Sequence, residues 1–217
     1  MPPPNFHLYL ITDRKSTQGR DLLRVLEQAL DGGVEAIQLR EKDLSGRDLF
    51  QLADRIAALC QRYNAQFFIN DRLDVALAVD AAGVQLGRTS LPIETARGLL
   101  GAGKLIGFSS HSLEEAKQAE WWKADFILFG PVFFTPSKAL YGAPQGLEAL
   151  KEIVEKVTLP VYAIGGINAV SLPATINTGV YGVALISAII SAENPTIAAK
   201  AILTKLTRPR DAANRPR

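Results

Sequence analysis

The residues best suited to chemistry are polar clusters that each follow a short apolar run. Gln38, Arg40 and Lys42 alternate along one such run, so an extended chain places their side chains on one face. A guanidinium grips phosphate with two parallel hydrogen bonds and an ammonium adds a point charge, so this face predicts an anion site. A surface ion-pair network with Glu41 and Asp43 is the alternative interpretation.

Two further clusters offer phosphate ligands. Residues 135–138 read Thr-Pro-Ser-Lys, and the hydroxyls of Thr135 and Ser137 with the ammonium of Lys138 form a second candidate grip on a polyphosphate. An ordinary turn is the alternative. Of eight short apolar runs along the chain, the seventh is followed by Gly-Gly at 165–166 and the eighth contains Ser187. In many βα barrels these two places bind phosphate. A tight turn that needs positive φ is the alternative for the glycines.

Asp71 and His111 are the candidates for metal and proton chemistry. Asp71 follows Asn70, and a carboxylate beside a diphosphate site is an expected ligand of Mg²⁺. Capping of a helix predicted at 72–81 is an equal alternative for Asp71. His111 closes the fifth run and is the candidate acid or base, with a structural role at a helix start as the alternative.

The elements that must position these residues repeat eight times along the chain. Short apolar runs alternate with amphipathic stretches, a pattern typical of parallel strands joined by helices. The predicted strands are 7–13, 36–41, 66–71, 83–87, 105–111, 125–133, 160–167 and 182–189. This α/β pattern favours a single-domain (β/α)8 TIM barrel over residues 1–206, with the polar clusters gathered at the C-terminal mouth. Residues 207–217 are predicted to form a basic, disordered tail.

Composition narrows the partners. The formal net charge is +2, and the tail at 207–217 holds four arginines against one aspartate, so the body is nearly neutral and nucleic acid is not an expected partner. The N-terminus lacks the features of a secretory signal and no apolar run approaches membrane-spanning length, so we expect a cytoplasmic protein without membrane contact. The single cysteine, Cys60, lies among apolar helical residues and is predicted to be a buried structural thiol.

Seven ordered segments resemble the superfamily of thiamine phosphate synthase and the TenI-type thiazole tautomerases. They are LITD at 10–13, QLREK at 38–42, IND at 69–71, GVQLG at 83–87, GP at 130–131 with TPSK at 135–138, AIGGI at 163–167, and GVALISA at 182–188. The resemblance covers residues 8 to about 206 and implies a barrel enzyme that takes small phosphorylated substrates. It leaves a homodimer open.

The synthase branch implies a role for each matching position. Its members displace diphosphate from a pyrimidine's methylene carbon with a thiazole nitrogen. The implied diphosphate ligands are Arg40, Lys42, Asn70 and Lys138; the pyrimidine ligands are Gln38 and Ser109; the thiazole phosphate ligands are Thr135, Ser137, Gly166, Ile186 and Ser187; and the Mg²⁺ ligand is Asp71. Arg40, Lys138 and His111 are the residues expected to take part in catalysis.

One position departs from the synthase pattern. The resemblance implies a second Mg²⁺ aspartate after the fourth strand, and Ser90 stands there, which weakens the expected metal site. Arg88, two residues before it, is a candidate to neutralise diphosphate charge instead. A thiazole tautomerase with His111 as acid and base is the alternative function, since that branch also departs here. A non-catalytic protein that binds a thiamine intermediate is the third interpretation.

Overall fold

Each of the eight apolar runs forms a short strand in the computed structural model, which describes residues 4–135 and 143–206. The strands are β1 (Leu8–Ile11), β2 (Ala36–Leu39), β3 (Gln66–Asn70), β4 (Gly83–Leu86), β5 (Leu105–Ser110), β6 (Phe126–Phe129), β7 (Val161–Ile164) and β8 (Gly182–Leu185). They pair in chain order, and β8 pairs with β1 in parallel to close the barrel. The predicted TIM barrel is therefore confirmed.

Helices follow the strands around the barrel. They are α1 (Leu22–Asp31), α2 (Gly46–Arg62), α3 (Leu73–Ala78), α4 (Ile93–Leu100), α5 (Leu113–Trp121), α6 (Gly146–Lys156), α7 (Leu172–Asn177), α8 (Ser187–Ile190) and α9 (Pro195–Leu206). Several begin at a side chain that accepts a backbone N–H from the first turn, as Ser45 does for α2 and Ser112 for α5. Their apolar faces and the outward strand residues form one continuous buried cluster. Cys60 is buried in that cluster on α2, as predicted.

Aromatic side chains fill the N-terminal end of the barrel interior. Phe6, Tyr9, Phe68, Phe126 and Tyr162 are fully buried and pack mostly edge to face. We call these five side chains the aromatic plug. The Tyr162 hydroxyl donates a hydrogen bond to the Phe6 carbonyl at 2.6 Å, which anchors the plug to the chain that precedes β1. These side chains close the barrel interior to ligands at this end.

The strands end earlier than predicted, and one site residue changes element as a result. β8 ends at Leu185, so Ser187 does not lie on a strand but begins α8. Ile186 leaves the extended conformation with φ −122° and ψ −92°, and its carbonyl accepts the amides of Ile189 and Ile190. These local hydrogen bonds replace strand pairing beyond Leu185.

Ser137, Lys138 and the tail at 207–217 lie outside the described residues. Four further expectations stay predictions: the limits of the barrel domain at 1 and 206, the cytoplasmic location, the homodimer, and the lack of a nucleic acid partner. Among the helices of residues 4–135 and 143–206, none has the length and apolar character needed to cross a membrane.

Candidate active site

The alternation of the strands carries polar side chains up the barrel interior above the aromatic plug. Ala36, Phe68 and Phe126 face the interior, so the next inward positions on β2, β3 and β5 are Gln38, Asn70 and Ser109. Arg40 and His111 follow just beyond the ends of β2 and β5, two residues after Gln38 and Ser109. The barrel thus gathers at its C-terminal mouth the polar clusters that are separate in the chain.

Buried amides line the interior just above the plug. Gln38 and Gln85 are 1% and 3% exposed. The Gln85 side-chain Nε2 donates to the Ser109 hydroxyl at 3.0 Å. Within the described residues, Gln85 Oε1 has no hydrogen-bond partner, and Gln38 Nε2 has none besides a loose interaction with the buried Tyr9 hydroxyl. Because an unpaired buried donor or acceptor costs about 1–3 kcal/mol, this pair is suited to a ligand with both donors and acceptors.

Gln85 has no assigned role in the sequence-based interpretation, although it lies in the GVQLG segment. Its signal in the sequence is a polar residue at the middle of an otherwise apolar strand. Gly107, its neighbour on β5, makes the room: a Cβ there would lie 2.3 Å from Gln85 Oε1 and 2.4 Å from the Phe126 ring. The amide therefore depends on a glycine in the adjacent strand.

Arg40 and Lys42 lie beyond the end of β2. The strand stops at Leu39, where the Arg40 amide donates to the Thr12 hydroxyl at 3.0 Å instead of continuing the ladder. The predicted extended segment through residue 41 is therefore wrong, and Lys42 lies on an exposed turn. Arg40 is half-buried at the mouth.

The ion-pair alternative for these two cations is also wrong. Glu41 and Asp43 pair with cations from the loop after β1: Arg14 lies 3.5 Å from Glu41 and 2.8 Å from Asp43, and Lys15 lies 2.9 Å from Asp43. Neither Arg40 nor Lys42 forms an ion pair within residues 4–135 and 143–206. Their charges remain available to an anion.

Glu41 is a buried carboxylate that the sequence-based interpretation treated only as a partner of the cations. It accepts the Arg14 amide at 3.0 Å and joins the loop after β1 to the loop that carries Arg40 and Lys42. Burial raises its pKa above the ordinary value, and its contacts with Thr12 and Arg14 oppose that shift only in part.

Asp71 is held by neutral hydrogen-bond donors. Its backbone has φ +62°, so the carboxylate leaves the direction of β3 at the barrel mouth. Asn70 Nδ2 donates to one carboxylate oxygen at 2.7 Å and the Ser90 hydroxyl donates to the other, while Ser90 accepts the Gly87 amide at 2.7 Å. The capping alternative for Asp71 is wrong, because Arg72 occupies the N-cap position of α3 without a side-chain cap.

The side chains at Asp71 suit Mg²⁺ in the type of their ligand atoms. Asp71 and Ser90 supply oxygen, the ligand atom that this ion prefers, but they include one carboxylate only. In the described part of the chain, no three His, Cys, Asp or Glu side chains come together as a metal cage. Mg²⁺ is commonly held by one or two carboxylates together with substrate phosphates and water, and Asp71 suits that arrangement.

His111 is anchored on two sides. Its Nδ1 contacts the Gly130 carbonyl and its amide donates to Glu115 at 2.7 Å. A carbonyl oxygen can only accept, so Nδ1 carries a proton and Nε2 is left for a ligand. Glu115 also lies 3.6 Å from Arg88, which brings this exposed guanidinium towards the same rim.

The opposite rim contains the candidate thiazole phosphate ligands. Gly165 and Gly166 have φ of +98° and +66°, and a Cβ on Gly166 would lie 2.6 Å from the Phe134 carbonyl, so the turn does require glycine. The same close approach brings residue 166 beside the chain that leads into Thr135. Ile186 is half-buried and Ser187 is exposed at the end of β8, next to β7 in the barrel.

Comparisons with known proteins identify the family of the chain. The chain matches the thiamine monophosphate synthase family over residues 8–189. A putative thiamine-phosphate synthase of Geobacter sulfurreducens is 50% identical over 95% of this chain and 97% of its own length, and the thiamine-phosphate synthase of Clostridium novyi is 44% identical over 91% and 97%. The solved thiamine phosphate pyrophosphorylase of Pyrococcus furiosus superposes with a TM-score of 0.85 at 41% identity, covering 93% and 95% of the two chains. The chain therefore belongs to the thiamine monophosphate synthase family.

Proposed function

We propose that this protein is a thiamine-phosphate synthase that joins hydroxymethylpyrimidine diphosphate to a thiazole phosphate and releases diphosphate. The observation that carries the proposal is the cationic mouth: Arg40 and Lys42 have no acidic partner in the described residues and lie above buried amides with free hydrogen-bonding capacity. The relatives at 40–50% identity that bear this name support it.

The reaction needs a stabilised leaving group more than it needs a base. The lone pair of the thiazole nitrogen forms a bond to the pyrimidine's methylene carbon, and the carbon–oxygen bond breaks with its electrons going to diphosphate. Arg40, Lys42 and the Asn70 side chain would hold that growing negative charge, with Lys138 as a further predicted ligand. Mg²⁺ bound through Asp71 would supply additional positive charge to the diphosphate oxygens.

Binding of the pyrimidine is assigned to the interior amides. An aminopyrimidine presents a donor beside ring acceptors, which matches the free Gln85 oxygen and the N–H donors of the Gln38 amide. Ser109, which accepts from Gln85, completes the polar ring below the mouth. The solid plug beneath would align the substrate towards the opening and keep water from that side.

The thiazole phosphate is assigned to the rim formed after β6, β7 and β8. Thr135, Gly166, Ile186 and Ser187 lie there, and Ser137 is the further predicted ligand. The positive φ of Gly166 allows the backbone to approach a phosphate closely. This placement would set the thiazole ring across the mouth from the cationic loop after β2.

Chromatography of reactions with one or both substrates tests the proposal. With Mg²⁺ and both substrates, we expect thiamine phosphate and diphosphate in equal amounts, and we expect neither when one substrate is omitted. Binding of both substrates without turnover would instead support the non-catalytic interpretation.

The anchored imidazole of His111 supports a second candidate, the thiazole tautomerase. A reaction in D₂O with thiazole carboxylate phosphate alone separates the two functions, because a tautomerase exchanges a ring-carbon proton and isomerises the thiazole. For a synthase, we expect His111→Ala to lower coupling only partly. Loss of isomerisation in His111→Ala, with no coupling in the unsubstituted protein, would establish the tautomerase.

A further inference from the structure

Arg20 joins the loop after β1 to the turn that follows α8. This half-buried residue lies in the loop at residues 12–21, which we call the β1 loop. Its Nε donates to the Thr17 carbonyl at 2.8 Å, and its Nη2 donates at 2.8 Å to the carbonyl of Ile190, the last residue of α8. Its Nη1 reaches the Glu193 carbonyl at 3.4 Å. One guanidinium therefore connects two segments that are 170 residues apart in the chain.

A second hydrogen bond joins the same two segments. The Ser191 hydroxyl, at the C-cap of α8, donates to the Ser16 carbonyl at 2.9 Å. The β1 loop is itself well packed at this point, since Thr17 is buried and its hydroxyl donates to the Arg14 carbonyl at 3.0 Å. Because β1 pairs with β8 in the barrel, the β1 loop supports α8 from the neighbouring strand.

The end of α8 needs that support. The helix has only four residues, Ser187–Ile190, which is too short to be stable alone, and the last carbonyls of a helix have no partner inside it. Basic side chains commonly satisfy such carbonyls. Arg20 forms no ion pair in the part of the chain that the structure describes, so its donors serve these carbonyls. Since Ser187 lies one turn before Ile190, a shift at the end of α8 also moves Ser187.

We propose that Arg20 is a positioning residue for the thiazole phosphate subsite. By holding the end of α8 against the β1 loop, it keeps Ile186 and Ser187 where they meet the phosphate, and it does not touch the substrate itself. The inference rests on the proposed function for the presence of thiazole phosphate at this rim. Because hydrogen bonds weaken steeply with distance and angle, a small displacement of α8 costs affinity for this ligand alone.

Calorimetric titration with each substrate separately tests this role. In Arg20→Gln, we expect the affinity for thiazole phosphate to fall about tenfold, and the affinity for the pyrimidine diphosphate with Mg²⁺ to change by less than about twofold. Arg24→Gln is the matched control, because it removes the same charge from an exposed position on α1 and should leave both affinities unchanged. If Arg20→Gln does not fold, Ser191→Ala removes the second hydrogen bond and should weaken thiazole phosphate alone by about threefold.

Three results would overturn the proposal: unchanged affinity for thiazole phosphate in Arg20→Gln, equal losses for both substrates in that variant, or an equal loss in Arg24→Gln. A merely structural role would lower the urea midpoint of Arg20→Gln and leave the affinities of the folded protein unchanged. If the unsubstituted protein binds both substrates and Arg20→Gln binds them equally well, only the positioning role is wrong. If the unsubstituted protein binds neither substrate, the proposed function is wrong as well.

Discussion

Arg40 and Lys42 bring positive charge to the barrel mouth, and the nearby carboxylates of Glu41 and Asp43 are already paired with Arg14 and Lys15. Leaving a half-buried guanidinium such as that of Arg40 without a counter-ion is costly unless a ligand supplies one. The lack of an acidic partner for Arg40 and Lys42 in the described part of the chain is thus the strongest residue-scale indication of an anionic substrate.

Replacement of Arg40 tests that interpretation. A charge-assisted hydrogen bond is worth about 1.5–3 kcal/mol, so we expect Arg40→Gln to lower kcat/KM for the pyrimidine diphosphate by roughly tenfold to hundredfold. Arg62→Gln is the control, because Arg62 makes an exposed ion pair at the far end of α2. Equal kinetics in both variants would remove Arg40 from the site, and unchanged urea midpoints would show that both remain folded.

The raised pKa of Glu41 predicts that the stability of the protein depends on pH. Burial raises its folded pKa above the ordinary 4.5, so its contribution to stability is fully present below the unfolded pKa and is lost as pH rises through the folded value. We therefore expect the unsubstituted protein to lose stability relative to Glu41→Gln as pH rises from about 4 to neutrality. Urea unfolding of both proteins across that range measures the difference.

Asp43 provides a control of opposite sign. Its pKa is lowered, chiefly by the hydrogen bond from Lys15, so its contribution is present above the unfolded pKa and is lost as pH falls through the folded value. Relative to Asp43→Asn, the unsubstituted protein should gain stability as pH rises. The same trend in both variants would contradict the assignment of Glu41 as the group with the raised pKa.

At the scale of elements, the barrel interior depends on alternating large and small residues in neighbouring strands. Gly107 on β5 accommodates Gln85 from β4 and Phe126 from β6, and Gly182 on β8 accommodates Tyr162 from β7. A side chain at either glycine would meet atoms that cannot move without disturbing the plug.

Gly107→Ala is expected to destabilise the protein by about 1–3 kcal/mol, because its methyl group would overlap Gln85 and Phe126. Gly98→Ala is the matched control: Gly98 lies within α4, and nothing lies within 4 Å of its added Cβ. That variant should gain about 0.5–1 kcal/mol from helix propensity. Urea unfolding checks both signs, and a neutral Gly107→Ala would contradict the packing argument.

The elements also show what the sequence can and cannot predict. All eight strands were predictable because a parallel strand covered on both faces appears as a short apolar run. Their C-terminal limits were not, since Leu39 and Leu185 end their strands through the Thr12 hydroxyl and the turn at Ile186. Both interactions depend on local geometry that composition does not encode.

At the scale of the whole molecule, closure of the barrel brings polar segments that are separate in the chain together at one mouth. The sequence could predict that Gln38, Asn70 and Ser109 share an inward alternation, because that follows from the period of a strand. It could not predict that Ser90 bonds to Asp71 or that Glu41 pairs with Arg14, because these contacts join different βα units. The placement of Ser137 and Lys138 stays a prediction.

The most direct test of the central claim is a time course of ³¹P NMR spectra from one reaction that contains the protein, Mg²⁺, the pyrimidine diphosphate and the thiazole phosphate. The account predicts that the ester diphosphate signals decline while free diphosphate and thiamine phosphate appear together in equal amounts. Substrate signals that persist unchanged at saturating concentrations, or a thiazole phosphate signal that changes without release of diphosphate, would contradict it.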